Sequence, residues 1–282
     1  IKTINEFQNQ STDRITNINS VKYLYYNHPL LSYPLYTTPN GSISHNTPIN
    51  IDYYADARIL NNNYFCVYNE TPEQGGRLYT SQGVQNITKE ERKTLTIDGQ
   101  ETIELDHNAM HPRLLYGLKG IQLNEDPYLM VAEALGDAEE LRPVVKLAFN
   151  IAINAMANNY AQGFNSALEK NNHSINSNKK AKAIEMKSIL KKYELTPKKI
   201  LEQIKITHKP IADYIASGYG IILQRKDSDI MATTLADLME QGIQGRGVHD
   251  SVRCKKEDEQ AVRDAMHKAY ELHTGFHTRL NK

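Results

Sequence analysis

Residues 93–114, KTLTIDGQETIELDHNAMHPRL, decide how the rest of the chain is read. Leu95 and Ile97 alternate with Thr94, Thr96 and Asp98; the turn pair Asp98-Gly99 follows; Ile103 and Leu105 then alternate with Thr102, Glu104 and Asp106. A period of two on both sides of a short turn predicts a hairpin whose second strand ends at Asp106. Residues 109–117 then change to helical spacing, so Asp106 stands where a strand hands over to a helix. Taken alone, such an aspartate is a turn former or a helix cap.

Upstream, the first 75 residues are rich in Tyr, Asn and Pro, with turn signals at Asn40-Gly41 and Gly75-Gly76 and no long helical period, which predicts short strands and loops. Downstream, residues 127–135 have helical spacing, and Pro143 stands where a first helical turn tolerates it, ahead of residues 144–157. Residues 221–239 read as a helix, 242–247 as a turn, 247–254 as a short strand pair and 258–272 as an amphipathic helix. Asp250 falls where that strand pair should turn. Arg142, Lys146, Asn150 and Asn154 recur every fourth residue and so share one polar, basic helix face. No internal repeat is present.

With 282 residues, 40% hydrophobic and 23% charged, the chain can bury a core as one or two domains, which excludes collagen, a disulfide scaffold and wholesale disorder. Lys plus Arg equals Asp plus Glu at 33 each, yet residues 170–209 hold eleven lysines against Glu185, Glu194 and Glu202. That basic run is either a solvated helix face or a surface for phosphates. Cys66 and Cys254 have no C-x-x-C spacing, which speaks against structural zinc and fits a reducing compartment. No run of about 18 apolar residues exists. A chain opening at Ile1 without an apolar leader reads as trimmed or as a piece of a longer protein, and a soluble, cytoplasmic protein without secretion signal or membrane partner is expected.

Several short motifs, in order, point one way. Asp106 followed by Arg113 resembles the first palm motif of the family A polymerases, and Arg142-Pro143-Val144-Val145-Lys146 resembles the R-x-x-x-K opening of that family's fingers helix. Gly247-Val248-His249-Asp250-Ser251 resembles its His-Asp motif. Gly76-Arg77-Leu78 and Gln85-Asn86-Ile87 resemble the elements that precede the first motif, Asp126-Pro127-Tyr128 the element that follows it, and Gln224 with Asp229-Ile230 the helix before the third. The chain thus resembles a compact family A nucleic acid polymerase, DNA polymerase I-like or single-subunit phage-type, over roughly residues 75–275. The resemblance implies an α+β right-hand fold with an antiparallel palm sheet, helical fingers and a reduced N-terminal thumb-like region. Its parts would be a thumb-like region at 1–75, palm at 76–136 and 221–282, and fingers at 137–220.

The implied activity is template-directed nucleotidyl transfer that extends a primer. Two Mg²⁺ ions about 4 Å apart would neutralise the attacking and leaving oxygens, held by Asp106, Asp250 and the backbone carbonyl of His107, with Glu104 standing in if the strand register is shifted by two. Arg142, Lys146, Asn150 and Asn154 would receive the triphosphate, with Lys146 also protonating the pyrophosphate, and His107 and His111 would lie beside the nucleotide. Arg77, Gln85, Asn86, Arg113, Gln224 and His249 would contact the primer-template, which is DNA or alternatively RNA. The chain departs from the family pattern where Asn150 and Asn154-Ala155 replace the usual aromatic and Tyr-Gly, leaving Tyr128 and Tyr160 as candidate stacking partners, and where His111 replaces the residue that selects the sugar. Deoxynucleotides are favoured. The alternatives are a primase or RNA polymerase, and a non-catalytic polymerase-like subunit that binds nucleic acid through the Lys-rich run. A viral or mobile-element origin and replication partner proteins would suit so small an enzyme. His267, His273 and His277 read as surface residues of the last helix.

Overall fold

The computed structural model describes residues 13–16, 23–24, 49–50, 57–59, 61–69, 71–82, 84–173 and 177–282; the turn expected at Asn40-Gly41 lies outside them. The strands are β1 (Asp13–Thr16), β2 (Tyr23–Leu24), β3 (Ile49–Asn50), β4 (Ala57–Ile59), β5 (Asn61–Tyr68), β6 (Gly75–Gln82), β7 (Leu95–Ile97), β8 (Gln100–His107), β9 (Arg246–Val248), β10 (Ser251–Lys255) and β11 (Leu280–Asn281). The helices are α1 (Lys89–Lys93), α2 (Met110–Leu118), α3 (Pro127–Leu135), α4 (Ala138–Asn154), α5 (Tyr160–Asn172), α6 (Ser177–Lys192), α7 (Pro197–Thr207), α8 (Gly220–Glu240) and α9 (Glu259–Thr274). The chain divides into two compact units, one from residues 1–108 and 224–282, the other from residues 109–223. Residues 109–136 fall in the second of these units.

The first unit is built on a seven-stranded antiparallel sheet of order β4-β1-β7-β8-β10-β9, with β11 also paired to β8. Asp98 and Gly99 both take left-handed φ values, 52° and 79°, which give a two-residue turn the twist that a hairpin needs, and Ile97 pairs with Gln100. β8 runs one residue past its expected end, through His107. Because paired antiparallel residues point to the same side, the register Leu105↔Val252 and Ile103↔Cys254 puts one apolar face together. That face packs on Met231, Leu235 and Leu238 of α8 and on Val262, Ala265 and Met266 of α9, with Tyr64 and Leu78 in the same core. Asp106, Glu104, Ser251 and Arg253 take the opposite face.

A separate antiparallel hairpin pairs β5 with β6. The turn signal at Gly75-Gly76 is in fact the start of β6; the hairpin is closed before it, where Asn69 N–H donates to the Gln74 carbonyl at 3.0 Å. The glycines are needed for a different reason. Gly76 has φ +70°, and a Cβ there would overlap the Tyr68 ring.

Cys254 lies in the core, where burial pushes its thiol up to about 12, helped by the charges of Asp258 and Glu259, and burial raises the half-buried Cys66 as well. Thiolate is the reactive species. A colorimetric thiol titration at pH 8 is therefore expected to find Cys66 slow and Cys254 silent until denaturant is added; rapid modification of both in the native protein would contradict this packing.

The second unit is helical. Asp126 caps α3, accepting from Tyr128 N–H at 2.8 Å and Leu129 N–H at 3.1 Å, with Pro127 in the first turn where its missing donor costs nothing. α4 starts well before the position Pro143 suggested, because Asp137 caps it by accepting from Glu140 N–H at 2.9 Å. Pro143 sits inside the helix and cannot donate to the Glu139 carbonyl, but both residues are exposed and water can take that bond. The helix ends at Asn154, since Ala155 is extended. Leu141, Val145, Ala148 and Phe149 of α4 are fully buried. Beside them the His208 ring lies between the Tyr116 hydroxyl and the Pro127 carbonyl, each at 2.9 Å, and burial holds its imidazole below the ordinary range. Among the described residues no helix is long and apolar enough to cross a membrane.

Candidate functional site

The sheet brings two sequence-distant aspartates to neighbouring positions. Asp106 pairs with Ser251 of β10 on one side and Asn281 of β11 on the other. Val248 pairs with Ser251, so His249 and Asp250 form the two-residue turn between β9 and β10. His107 N–H donates to the Asp250 carbonyl at 3.2 Å, tying that turn to the end of β8. Both aspartates are half-buried.

Glu104, two residues back on the same face as Asp106, is engaged elsewhere. Arg92 donates to its carboxylate from Nε at 2.9 Å and Nη2 at 3.2 Å, Ser251 Oγ donates at 3.1 Å, and Arg253 Nε lies 3.5 Å away. Burial alone would raise this carboxyl; the arginines and Ser251 bring it below its usual range. Glu104 is therefore part of a charged lattice under the strands and not a spare ligand. The His107 ring alternates to the other side, into the core, where Nδ1 meets Thr278 Oγ1 at 3.1 Å and the ring lies against Tyr270. Among the described residues its Nε2 has no hydrogen-bond partner, and burial holds the imidazole down at about 3, so it is neutral at physiological pH. Only the backbone of His107 reaches toward the aspartates.

The strand that leads into the Asp250 turn is clamped at Gly247 by Tyr64 of β5 and by Gln85 of the turn after β6. Gly247 N–H donates to the Tyr64 hydroxyl at 2.6 Å, and the Gly247 carbonyl accepts from Gln85 Nε2 at 3.1 Å. Gln85 Nε2 also donates to the Leu78 carbonyl at 3.0 Å while its Oε1 accepts from Thr80 N–H at 3.2 Å. The amide expected to reach a nucleic acid is thus a strand-to-strand clamp. Asn86, exposed, donates to the Thr80 carbonyl at 3.2 Å. His249 has φ +58°, a left-handed conformation unusual outside glycine, and is exposed with Tyr79 edge-on at 6.5 Å. Partial desolvation and the Arg77 charge hold its imidazole below the ordinary value.

Arg77, expected at the primer-template, is anchored on α8: its Nη2 donates to Asp227 Oδ2 at 2.6 Å, and Asp227 is 1% exposed. Burial opposes the guanidinium charge, but Asp227 and, further down, Asp250 outweigh it and push the Arg77 pKa up. Next to Asp227, Ser228 Oγ donates to the Gly76 carbonyl at 2.6 Å. Gln224 is half-buried at residue 224 of the same helix. Sequence reading missed Asp227 and Tyr64. A signal for the first existed, since an acid at a core-side helix position between Leu223 and Ile230 calls for a cationic partner; Tyr64, one of 17 tyrosines, gave none.

In the helical unit, Lys146, Asn150 and Asn154 are exposed along α4 and Arg142 is half-buried at the head of the stripe. Arg142 is already paired, donating to Asp126 Oδ2 from Nε at 3.1 Å and Nη2 at 2.7 Å. Burial would raise the Asp126 carboxyl, but Arg142 and the two capping N–H groups lower it. The Arg142 guanidinium and the Lys146 ammonium lie over the Tyr128 ring at 5.6 and 5.9 Å. Asn154 Nδ2 donates to the Asn150 carbonyl at 2.8 Å.

Tyr128 and Tyr160 cannot be the stacking partners expected of them. Both are buried, Tyr128 edge-on to Phe149 and Tyr160 against Phe164, because each fills the inner face of its helix. Arg113 is also buried and donates to the carbonyls of Leu123 and Glu125, shaping the loop after α2 instead of facing a nucleic acid. His111 is half-buried in the first turn of α2. In the basic run, Lys187 pairs with Glu169 and Lys192 with Glu140, each at 2.5 Å, while Lys180, Lys182, Lys191 and Lys198 are exposed. His267 and His273 are exposed on α9, whereas His277 lies beyond its end.

Among the described residues no three His, Cys, Asp or Glu side chains cluster as a metal-binding group. Asp106 and Asp250 offer two carboxylates and neighbouring backbone carbonyls only. An all-oxygen, incomplete set of this kind fits Mg²⁺, which keeps waters and takes phosphate oxygens, and does not fit a structural zinc.

No protein-family model matches the chain, and no curated protein matches it. Among the solved structures that match is the POL domain of Pol1 from M. smegmatis in complex with DNA primer-template and dNTP, at 15% identity and a TM-score of 0.43. The match covers 77% of this chain and 46% of that one, so the chain spans less than half the length of this neighbour.

Proposed function

We propose that the chain is a small template-directed nucleotidyltransferase of the right-hand polymerase type, extending a DNA primer with deoxynucleoside triphosphates. The observation that carries this reading is the pairing of Asp106 with Ser251, the residue after Asp250, together with the hydrogen bond from His107 N–H to the Asp250 carbonyl. Asp106, Asp250 and the His107 carbonyl would hold Mg²⁺, which supplies charge neutralisation for the attacking and leaving oxygens of phosphoryl transfer. Asp106 sits on the sheet face opposite the core and Asp250 in the turn beside it, whose carbonyl is tied to His107 N–H. Lys146 brings an exposed ammonium that can meet a triphosphate and give a proton to the departing pyrophosphate. Arg142 shares its charge with Asp126, which orients its fork and leaves Lys146 as the stronger attractor. Asn150 and Asn154 continue the stripe as neutral donors.

The test is direct. The chain is incubated with Mg²⁺ and a labelled primer on DNA and on RNA templates, with deoxy and ribo substrates in separate arms and a primer-free control. Extension of the DNA primer with deoxynucleotides is expected, and Lys146→Ala should slow it at least about tenfold. Ribonucleotide incorporation without a primer would move the reading to a primase, and no incorporation in any arm would overturn it.

A further inference from the structure

We infer that Tyr64 and Gln85 are positioning residues for Asp250. The inference rests on the reading of Asp106 and Asp250 as a cation-binding pair, and concerns how the second of them is held. Asp250 is in a two-residue turn, the least constrained place in a hairpin, and its neighbour His249 has a left-handed backbone that an L side chain disfavours. Left to itself such a turn would relax and swing the carboxylate.

What prevents this is three residues upstream. Gly247 is held at both of its peptide groups by side chains, its N–H by the Tyr64 hydroxyl at 2.6 Å and its carbonyl by the Gln85 amide at 3.1 Å. From behind, Met231 leaves so little room that a Cβ on Gly247 would sit 3.3 Å from its sulfur. Tyr64 is buried and Gln85 is itself fixed by the backbone of Leu78 and Thr80, so neither arm of the clamp can swing. From the other end, the Asp250 carbonyl is tied to His107 N–H. The turn is therefore pinned on both sides, at Gly247 by Tyr64 of β5 and Gln85 of the turn after β6, and at the Asp250 carbonyl by His107 of β8. Groups that orient a metal ligand without touching the metal change its affinity by roughly 10- to 100-fold when removed.

Tyr64→Phe keeps the ring and deletes the hydroxyl. Binding of Mn²⁺, a spectroscopic stand-in for Mg²⁺, is measured by electron paramagnetic resonance on the full chain, without nucleotide or DNA. The wild type, Tyr64→Phe, Gln85→Leu, Asp250→Asn and Val262→Ala are compared. Val262 is in the same core but on α9, so its truncation reports the effect of lost stability alone. Tyr64→Phe and Gln85→Leu are expected to weaken Mn²⁺ about tenfold, Asp250→Asn to abolish specific binding and Val262→Ala to leave it unchanged. Unchanged affinity in Tyr64→Phe, or an equal loss in Val262→Ala, would overturn the positioning role while leaving the carboxylate pair intact. Wild-type binding no stronger than that of Asp250→Asn would instead overturn the cation site, and the positioning role with it.

Discussion

Asp250→Asn is expected to bind primed DNA as the wild type does and to add nucleotides more than about 100-fold more slowly. Asparagine is nearly isosteric with aspartate and is at home in turns, so the backbone bond from His107 to residue 250 has no reason to change. What is lost is one of the two negative charges that the proposed cation site would supply. Removing a group that merely orients a metal ligand already costs roughly 10- to 100-fold, and removing the ligand itself should exceed that. Asp106→Asn should behave alike, since it stands on the neighbouring strand in the same role. Single-turnover primer extension, with DNA affinity and melting temperature measured on the same samples, checks both. Wild-type rates in either variant would take the pair out of the chemistry. Glu104→Gln offers a contrast, because its carboxylate is already shared by Arg92, Ser251 and Arg253: it should lose stability and not act through a metal.

Asp227→Ala is expected to lower unfolding free energy by about 3 kcal/mol, because it strands the Arg77 guanidinium in a largely buried position. The charge cannot be shed, since an arginine stays protonated at any accessible pH. Arg77 is 23% exposed, so water will recover part of the loss, and the figure is set toward the low end of the range for broken buried pairs. The double replacement Arg77→Met with Asp227→Leu should recover most of the stability, as apolar pairs of similar size often match a buried ion pair. Urea denaturation of the three variants measures this. A loss below about 0.5 kcal/mol for Asp227→Ala would mean that the pair behaves as a surface one.

Much of the backbone plan could be read from local pattern. The period-two stretches around Asp98-Gly99, the Pro127 helix start and the strand pair around Asp250 all carry their own turn or cap chemistry within a few residues. The start of α4 was misread because Pro143 is a loud signal and Asp137 a quiet one, yet the cap is what sets a helix end. Side-chain roles were less legible. Arg77, Gln85 and Arg113 look, as residue types, like groups reaching for a ligand, but their partners are Asp227, Gly247 and the Leu123 carbonyl, none of which can be named from neighbouring sequence. Tyr128 and Tyr160 failed for the converse reason: an aromatic at helical spacing fills a core unless something holds it outside. The neighbourhood of Asp106 and Asp250 was legible because both sit at ends of short paired strands, where register leaves few options.

The position of Asp106 in β8, with Ser251 on one edge and Asn281 on the other, makes the sheet an indexing device. Deleting or inserting one residue between Gly99 and Asp106 would invert the frame and turn the acid inward, to where Leu105 now lies. Such a chain could keep every element of its architecture and still lose the proposed carboxylate pair.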